Sequence, residues 1–224
     1  MNDWHRFTST AELDSALALH LAQRLKEDIA RYGDASLAVS GGGTPAGMFK
    51  HLARCALDWS RVWLTLVDER CVNTDNPDSN ERLLRENLLQ SHASQARFVS
   101  MAGAGTDNMS AIDAQLSAIP RPFSAVVLGM GNDGHTASWF PGAANLAELL
   151  DPENTAQVAM TEPLTAPHRR ITLTFSAVLQ SREIIIHITG AEKKAVIEQA
   201  QEKGYPVAAV LEQHVTPASI WWAL

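Results

Sequence analysis

Phe123–Gly142 reads FSAVVLGMGNDGHTASWFPG. Ser124 and the apolar run Ala125–Leu128 predict a short buried strand that stops at a glycine. Gly129, Gly131 and Gly134 then punctuate a loop carrying Asp133 and His135, and Pro141-Gly142 closes the segment. In open parallel sheets, ligands sit outside the carboxyl ends of the strands. Glycine lets the backbone approach a ligand closely, and histidine has an ordinary pKa suited to proton transfer near neutrality. The segment therefore predicts a strand of a parallel sheet and an active-site loop together.

Working outward, the same strand–loop–helix order recurs. Ser36–Ser40 predicts a strand and Gly41-Gly42-Gly43-Thr44-Pro45 a loop. A helix follows to about Leu57, with Thr44 suited to cap it and Pro45 to its first position. Val62–Val67 predicts a second strand ending at Asp68-Glu69-Arg70, and Asp78 with Glu81 caps a helix to about Gln90. Upstream, Ser9 and Glu12 form a capping-box pair before Leu13, Leu17, Leu21, Leu25 and Ile29, the stripe of an amphipathic helix ending near Gly33. A further helix is expected over Asp107–Ile119, a brief strand at Ile171–Leu173, a strong one at Glu183–Thr189 and a helix over Ala191–Lys203. The apolar tail, VAAVLEQ and then ASIWWAL, reads as strand-rich. Strands alternating with helices, and apolar runs without period-two alternation, imply a Rossmann-like α/β fold: a mostly parallel central sheet with helices on both faces, as one domain over residues 1–224.

Composition narrows the function. The 224 residues are 46% hydrophobic and 19% charged, as in ordinary globular proteins. A net charge of −7 with no basic stripe argues against a nucleic-acid partner. The first ten residues lack the apolar core of a signal peptide, and no run approaches the roughly 18 apolar residues of a membrane span. Cys55 and Cys71 offer neither a disulfide framework nor zinc spacing, so a reduced, cytoplasmic setting is expected. His5, His20, His51, His92, His168, His187 and His214 show no metal-ligand spacing, and no Gly-x-Ser-x-Gly elbow is present. Ser138 reads as a cap or turn residue.

Three glycines between a strand and a helix, Ser40–Pro45, free backbone N–H groups for an anion. No Gly-Lys-Ser/Thr follows, so this is not a Walker A loop. Gly41-x-Gly43-x-x-Ala46 and Gly129-x-Gly131-x-x-Gly134 both fit relaxed or strict dinucleotide fingerprints. That double match shows how permissive the pattern is, and leaves a nucleotide-dependent dehydrogenase as an alternative. Asp68-Glu69-Arg70 gains weight from standing at a strand end beside two glycine loops. Arg169-Arg170 before ITLT, and Lys193-Lys194 after EIIIHIT, are placed to clamp a phosphate dianion.

Taken in order, SGGGTP, DER with DSN at Asp78–Asn80, GMGNDGHTASWFPG, RITLT and GAEKKA resemble 6-phosphogluconolactonases of the short bacterial and eukaryotic type. That family is in turn similar to glucosamine-6-phosphate deaminases. The resemblance runs from about residue 10 to the C-terminus. It implies hydrolysis of 6-phospho-D-glucono-1,5-lactone to 6-phosphogluconate in the oxidative pentose phosphate pathway, without a cofactor or metal. It further implies His135 as general base with Asp133 its neighbour in the pocket. Ser40, Gly41, Gly42, Gly43 and Thr44 would form the substrate loop, with Asp68 and Arg70 at the DER positions. Arg170 and Lys193 would be phosphate ligands. Trp139 stands where many relatives have leucine, and the chain lacks the family's longer C-terminal end, leaving a final helix in question. A deaminase would carry an acid soon after its GHxA segment; here Trp139-Phe140-Pro141-Gly142 follows and the first acid is Glu148. A sugar-phosphate sensor would need a DNA-binding segment, for which there is no room before residue 36.

Overall fold

Ala125–Leu128 lies in the interior of a seven-stranded sheet whose neighbouring strands are all parallel. A computed structural model of the chain describes residues 3–102, 108–164 and 166–224. In chain order the elements are β1 (Asp3–Phe7), α1 (Thr10–Tyr32), β2 (Ala35–Val39), α2 (Ala46–Leu52), β3 (Val62–Leu66), β4 (Asp68–Arg70) and α3 (Asn80–Asn87). Then come β5 (Arg97–Phe98), α4 (Met109–Leu116), β6 (Ala125–Leu128), α5 (Leu146–Leu149), β7 (Val158–Thr161), β8 (Arg170–Leu173) and α6 (Phe175–Leu179). The last are β9 (Ile184–Thr189), α7 (Ala191–Glu198), α8 (Ala200–Lys203), α9 (Ala208–Glu212) and β10 (Ala218–Ala223).

The large sheet has the order β1-β10-β9-β6-β2-β3-β5. All residues of β2 and β6 are buried, which is the signature of strands covered on both faces. From β2 the chain steps outward to β3 and β5, then returns to lay β6 on the other side of β2. The carboxyl ends of β2 and β6 therefore flank a topological switch point, where the loops diverge and a crevice opens. Helix α1 starts where its sequence says: Ser9 Oγ accepts from the Glu12 amide at 3.2 Å, and Gly33 ends it with φ +90°. It buries Leu13, Leu17, Leu21 and Leu25, each contributing roughly 1.5–3 kcal/mol of apolar transfer.

Several expectations need correction. Asp68-Glu69-Arg70 does not prolong β3. Val67 donates to Val39 O at 3.0 Å but accepts from the Leu173 amide at 2.8 Å, so the chain leaves the large sheet there. The next three residues form β4 of a separate antiparallel sheet, β4-β8-β7. Helix α2 ends at Leu52, because Cys55 N turns back to Leu52 O (3.0 Å) and the Trp59 indole takes Cys55 O (3.0 Å). Pro45 stands at the cap position of α2, and neither it nor Thr44 supplies a side-chain cap. Ser79, not Asp78, caps α3. Asn108 caps α4, and the expected start at Asp107 lies outside the described residues. Gln199 separates α7 from α8. Of the apolar tail, VAAVLEQ contributes helix α9, whose end is tied by Gln213 Oε1 to the Val215 and Thr216 amides (both 2.8 Å); only the last segment is a strand. The edge strand β1, short and rich in charge, was not expected from the sequence.

Candidate active site

The loops after β2 and β6 are joined at their roots. Ser40 N donates to Val127 O at 2.9 Å, and Ser40 Oγ accepts from the Gly129 amide at 2.8 Å. Between them opens a cleft of about 230 Å³. That is smaller than the roughly 300–1,000 Å³ typical of drug-sized pockets and suits a small metabolite. Ser40, Gly41, Gly42, Gly43 and Thr44 line one wall, Gly129–Gly131 and His135 another, and Asp68, Arg70 and Lys193 complete it.

His135 is fixed by its own loop. Its Nδ1 lies 2.6 Å from Asp133 Oδ1, which also accepts the His135 amide at 3.2 Å. The ring packs on Phe140, with centroids 4.3 Å apart. A Cβ at Gly131 would lie 2.3 Å from His135 Cε1, so any side chain there would push the ring out of its place. Glycine at this position is thus what lets the ring fold back over its own loop. Asp133 does not itself line the cleft; it holds the ring from behind. With Nδ1 committed to a carboxylate, Nε2 carries the lone pair, the tautomer a base requires.

Asp68 is buried and fully engaged: Ser138 Oγ donates to its Oδ2 at 2.6 Å, and Asn80 Nδ2 reaches its carbonyl at 2.9 Å. Ser138 is thus a ligand of Asp68, beyond the turn role read from sequence. Glu69 faces away and accepts from the Asn80 and Glu81 amides at 2.8 and 2.7 Å. Burial raises its pKa, and these amides oppose the rise. Arg70 donates to Asp78 O, while its Nε is sealed and unpartnered.

Arg170 stands directly opposite Arg70 in the β4–β8 register. It is buried, donates to Pro167 O (2.6 Å) and His168 O (2.7 Å), and does not line the cleft. Burial, then the neighbouring Arg70, lowers its pKa, against Asp68, Cys71 and Glu69. Like charges facing across a ladder repel, so this pair gains from a nearby anion. Burial also lowers the pKa of Lys193, opposed by Glu192.

Sequence reading left out three residues. Asn80, quoted only within DSN, lines the cleft and secures Asp68. His187 of β9 also lines it, 2% exposed, with Asp14 of α1 behind it. The available signal for Asp14 was its place one residue after Leu13, on the apolar face of α1. No comparable signal marks His187 inside an apolar strand. Among the described residues no group of three or more His, Cys, Asp or Glu is placed to hold a metal, and no helix is long and apolar enough to cross a membrane.

The chain is similar to known proteins over nearly its whole length. A 6-phosphogluconolactonase of Rhizobium meliloti (strain 1021) is 43% identical over 226 residues, covering 98% of this chain and 97% of the relative. The crystal structure of a 6-phosphogluconolactonase from Shewanella baltica OS155 superposes with a TM-score of 0.96 at 43% identity, covering 100% and 98% of the two chains. A monomeric glucosamine-6-phosphate deaminase shares the fold at TM-score 0.78 and 17% identity, over 99% and 97%. The family model described as glucosamine-6-phosphate isomerases/6-phosphogluconolactonase matches residues 8–222. The chain belongs to the glucosamine-6-phosphate isomerase/6-phosphogluconolactonase family.

Proposed function

We propose that residues 1–224 act as one lactonase domain in the cytoplasm, hydrolysing 6-phospho-D-glucono-1,5-lactone to 6-phosphogluconate by general-base activation of water. The observation that carries the mechanism is His135 at the wall of the cleft, its Nδ1 held by Asp133 at 2.6 Å. A δ-lactone is an activated ester, so no covalent nucleophile is required. His135 Nε2 takes a proton from a water aimed at C1, the water oxygen bonds to C1, and the C1–O5 bond then breaks. The imidazolium returns the proton to O5 as it leaves. Arg70 lines the same cleft, and in this reading it or the backbone N–H groups of the glycine loops stabilise the oxyanion.

The Ser40–Thr44 loop, Lys193 and, from behind, Arg170 bind the phosphate and so fix C1 against His135. Asp68 acts by shaping the pocket, since both its oxygens are engaged by Ser138 and Asn80. The test is proton release from freshly generated 6-phosphogluconolactone, compared with its spontaneous hydrolysis. Acceleration is expected, and unphosphorylated gluconolactone should be a much poorer substrate. Equal rates on the two lactones would remove the phosphate assignment.

A further inference from the structure

The cleft contains a second histidine–aspartate pair, which the lactonase mechanism does not use. His187 Nε2 and Asp14 Oδ1 are sealed from solvent, have no hydrogen-bond partner, and lie 3.7 Å apart. That is too long for a hydrogen bond. Two buried polar atoms left facing each other without a bond each forfeit hydration with nothing in return. The arrangement is nonetheless built in. Asp14 is wedged against the first turn of α2, where a Cβ on Gly47 would lie 1.9 Å from Asp14 Oδ2. Helix α2 has no side-chain cap of its own, and the Met48 backbone in its first turn favours the ionised form of the Asp14 carboxylate. The carboxylate thereby sits behind the loop that opens the cleft, and the His187 ring forms part of the cleft wall beside Lys193.

We infer that Asp14 and His187 form a proton acceptor behind the phosphate end of the cleft, which takes up a proton when a phosphate dianion binds in front of it. This rests on the assignment of that end of the cleft to the phosphate. The added proton supplies the bridge that the 3.7 Å separation lacks, drawing Nε2 and Oδ1 into one hydrogen bond. It also balances the incoming charge, making His187 a positioning residue that favours dianionic ligands. The surrounding charges support this order of events. Burial, then Lys193, holds the His187 pKa down at about 4, while burial raises that of Asp14 against the influence of His51. Strand neighbours on β10 and β6 contribute no charge: Trp221 pairs with His187, and Leu128 with Ile186. Glu192 acts on Lys193 with the opposite sign, and Asp68, Arg70 and His135 line the same cleft. A dianion bound to Lys193 cancels the cation that disfavours the proton. Its field then favours protonating the pair, which titrates as a unit.

The experiment is calorimetric titration of the intact chain with 6-phosphogluconate at pH 7.5, in buffers of different ionisation enthalpy. At that pH a phosphate monoester, with a second pKa of about 6, is almost wholly dianionic. Residual ionisation of the ligand releases protons, opposite in sign to the effect sought. Wild type should take up at least about a third of a proton per ligand bound, approaching one if the pair is fully protonated. His187→Gln and Asp14→Asn should each abolish the uptake, while His135→Asn retains it. Gluconate, which lacks the phosphate, should elicit none. Uptake below that threshold in wild type overturns the proposal without recourse to any variant, so a misfolded mutant cannot shield it. Uptake that persists in both pair variants, or that gluconate elicits equally, also overturns it. If 6-phosphogluconate binds without proton uptake, the phosphate assignment stands and the proton acceptor falls. If it does not bind at all, both fall.

Discussion

Two histidine–aspartate pairs border one cleft, and they are opposites. In the pair after β6, His135 and Asp133 are 29% and 41% exposed and 2.6 Å apart. In the pair behind the Ser40–Thr44 loop, His187 and Asp14 are 2% and 9% exposed and 3.7 Å apart. The first has a fixed tautomer and contact with water, which is what proton transfer to a substrate demands. The second has neither, and burial suppresses its charged form. Identical residue types thus divide into a base and a proton-poor acceptor according to desolvation and partner distance.

The largest effect expected from separating the pairs is on turnover. His135→Asn keeps approximate size and polarity but removes the base. It should lower kcat by roughly two to four orders of magnitude while 6-phosphogluconate still binds. A folded variant with near-wild-type turnover would reduce His135 to a loop-shaping residue and erase the distinction between the pairs.

The phosphate end should respond differently. Lys193→Ala, or Arg170→Ala with its repulsive partner Arg70 left in place, should act mainly on KM for the phosphorylated lactone. The expected loss is about 2–4 kcal/mol of charged pairing, reduced where water enters. A loss confined to kcat would move these residues from anchoring to chemistry, and steady-state kinetics on both lactones distinguishes the two.

How much of this could be read in the chain follows from what each residue contacts. Gly131 and His135 declare themselves because a glycine-rich loop after an apolar strand has few other uses, and their contact is local in sequence. The Leu13–Ile29 stripe likewise declares α1. His187 is hidden because EIIIHIT is a good central strand whether its histidine packs or functions. Only the arrival of Asp14 from α1 gives it a partner. Asn80 and Ser138 converge on Asp68 from separate segments, and no local pattern encodes that meeting. The switch of Asp68-Glu69-Arg70 into a second sheet depends on Val67 bonding to β2 on one side and to Leu173, the last residue of β8, on the other. Local propensity cannot announce such a choice.

The sealed pair should also appear in stability. The depressed value of His187 means that, between about pH 6.5 and about 4, the unfolded chain binds a proton the native state refuses. Stability from this group is fully present above the unfolded value and is lost as pH falls through that window. The ceiling is about 3 kcal/mol, from the size of the shift. Asp14, with a raised value, slopes the other way. His187→Gln should therefore flatten the acid side of the stability curve measured by denaturant unfolding between pH 7 and 4. An unchanged slope would mean that His187 is not held neutral.

The smallest effect expected is that of Asp133→Asn. In a serine-protease triad the orienting aspartate is buried, and its amide replacement lowers turnover about 10⁴-fold by selecting the wrong tautomer. Asp133 differs in two ways. Its side chain is 41% exposed, so water screens the lost charge. Its Oδ1 also accepts the His135 backbone amide, a bond that an asparagine oxygen can keep while still facing Nδ1. Orientation and tautomer should survive, and kcat should fall only about tenfold with KM little changed. A fall as deep as that of His135→Asn would show that the carboxylate's charge, not its geometry, makes the exposed pair catalytic. The contrast between the two pairs would then be one of charge more than of access to water.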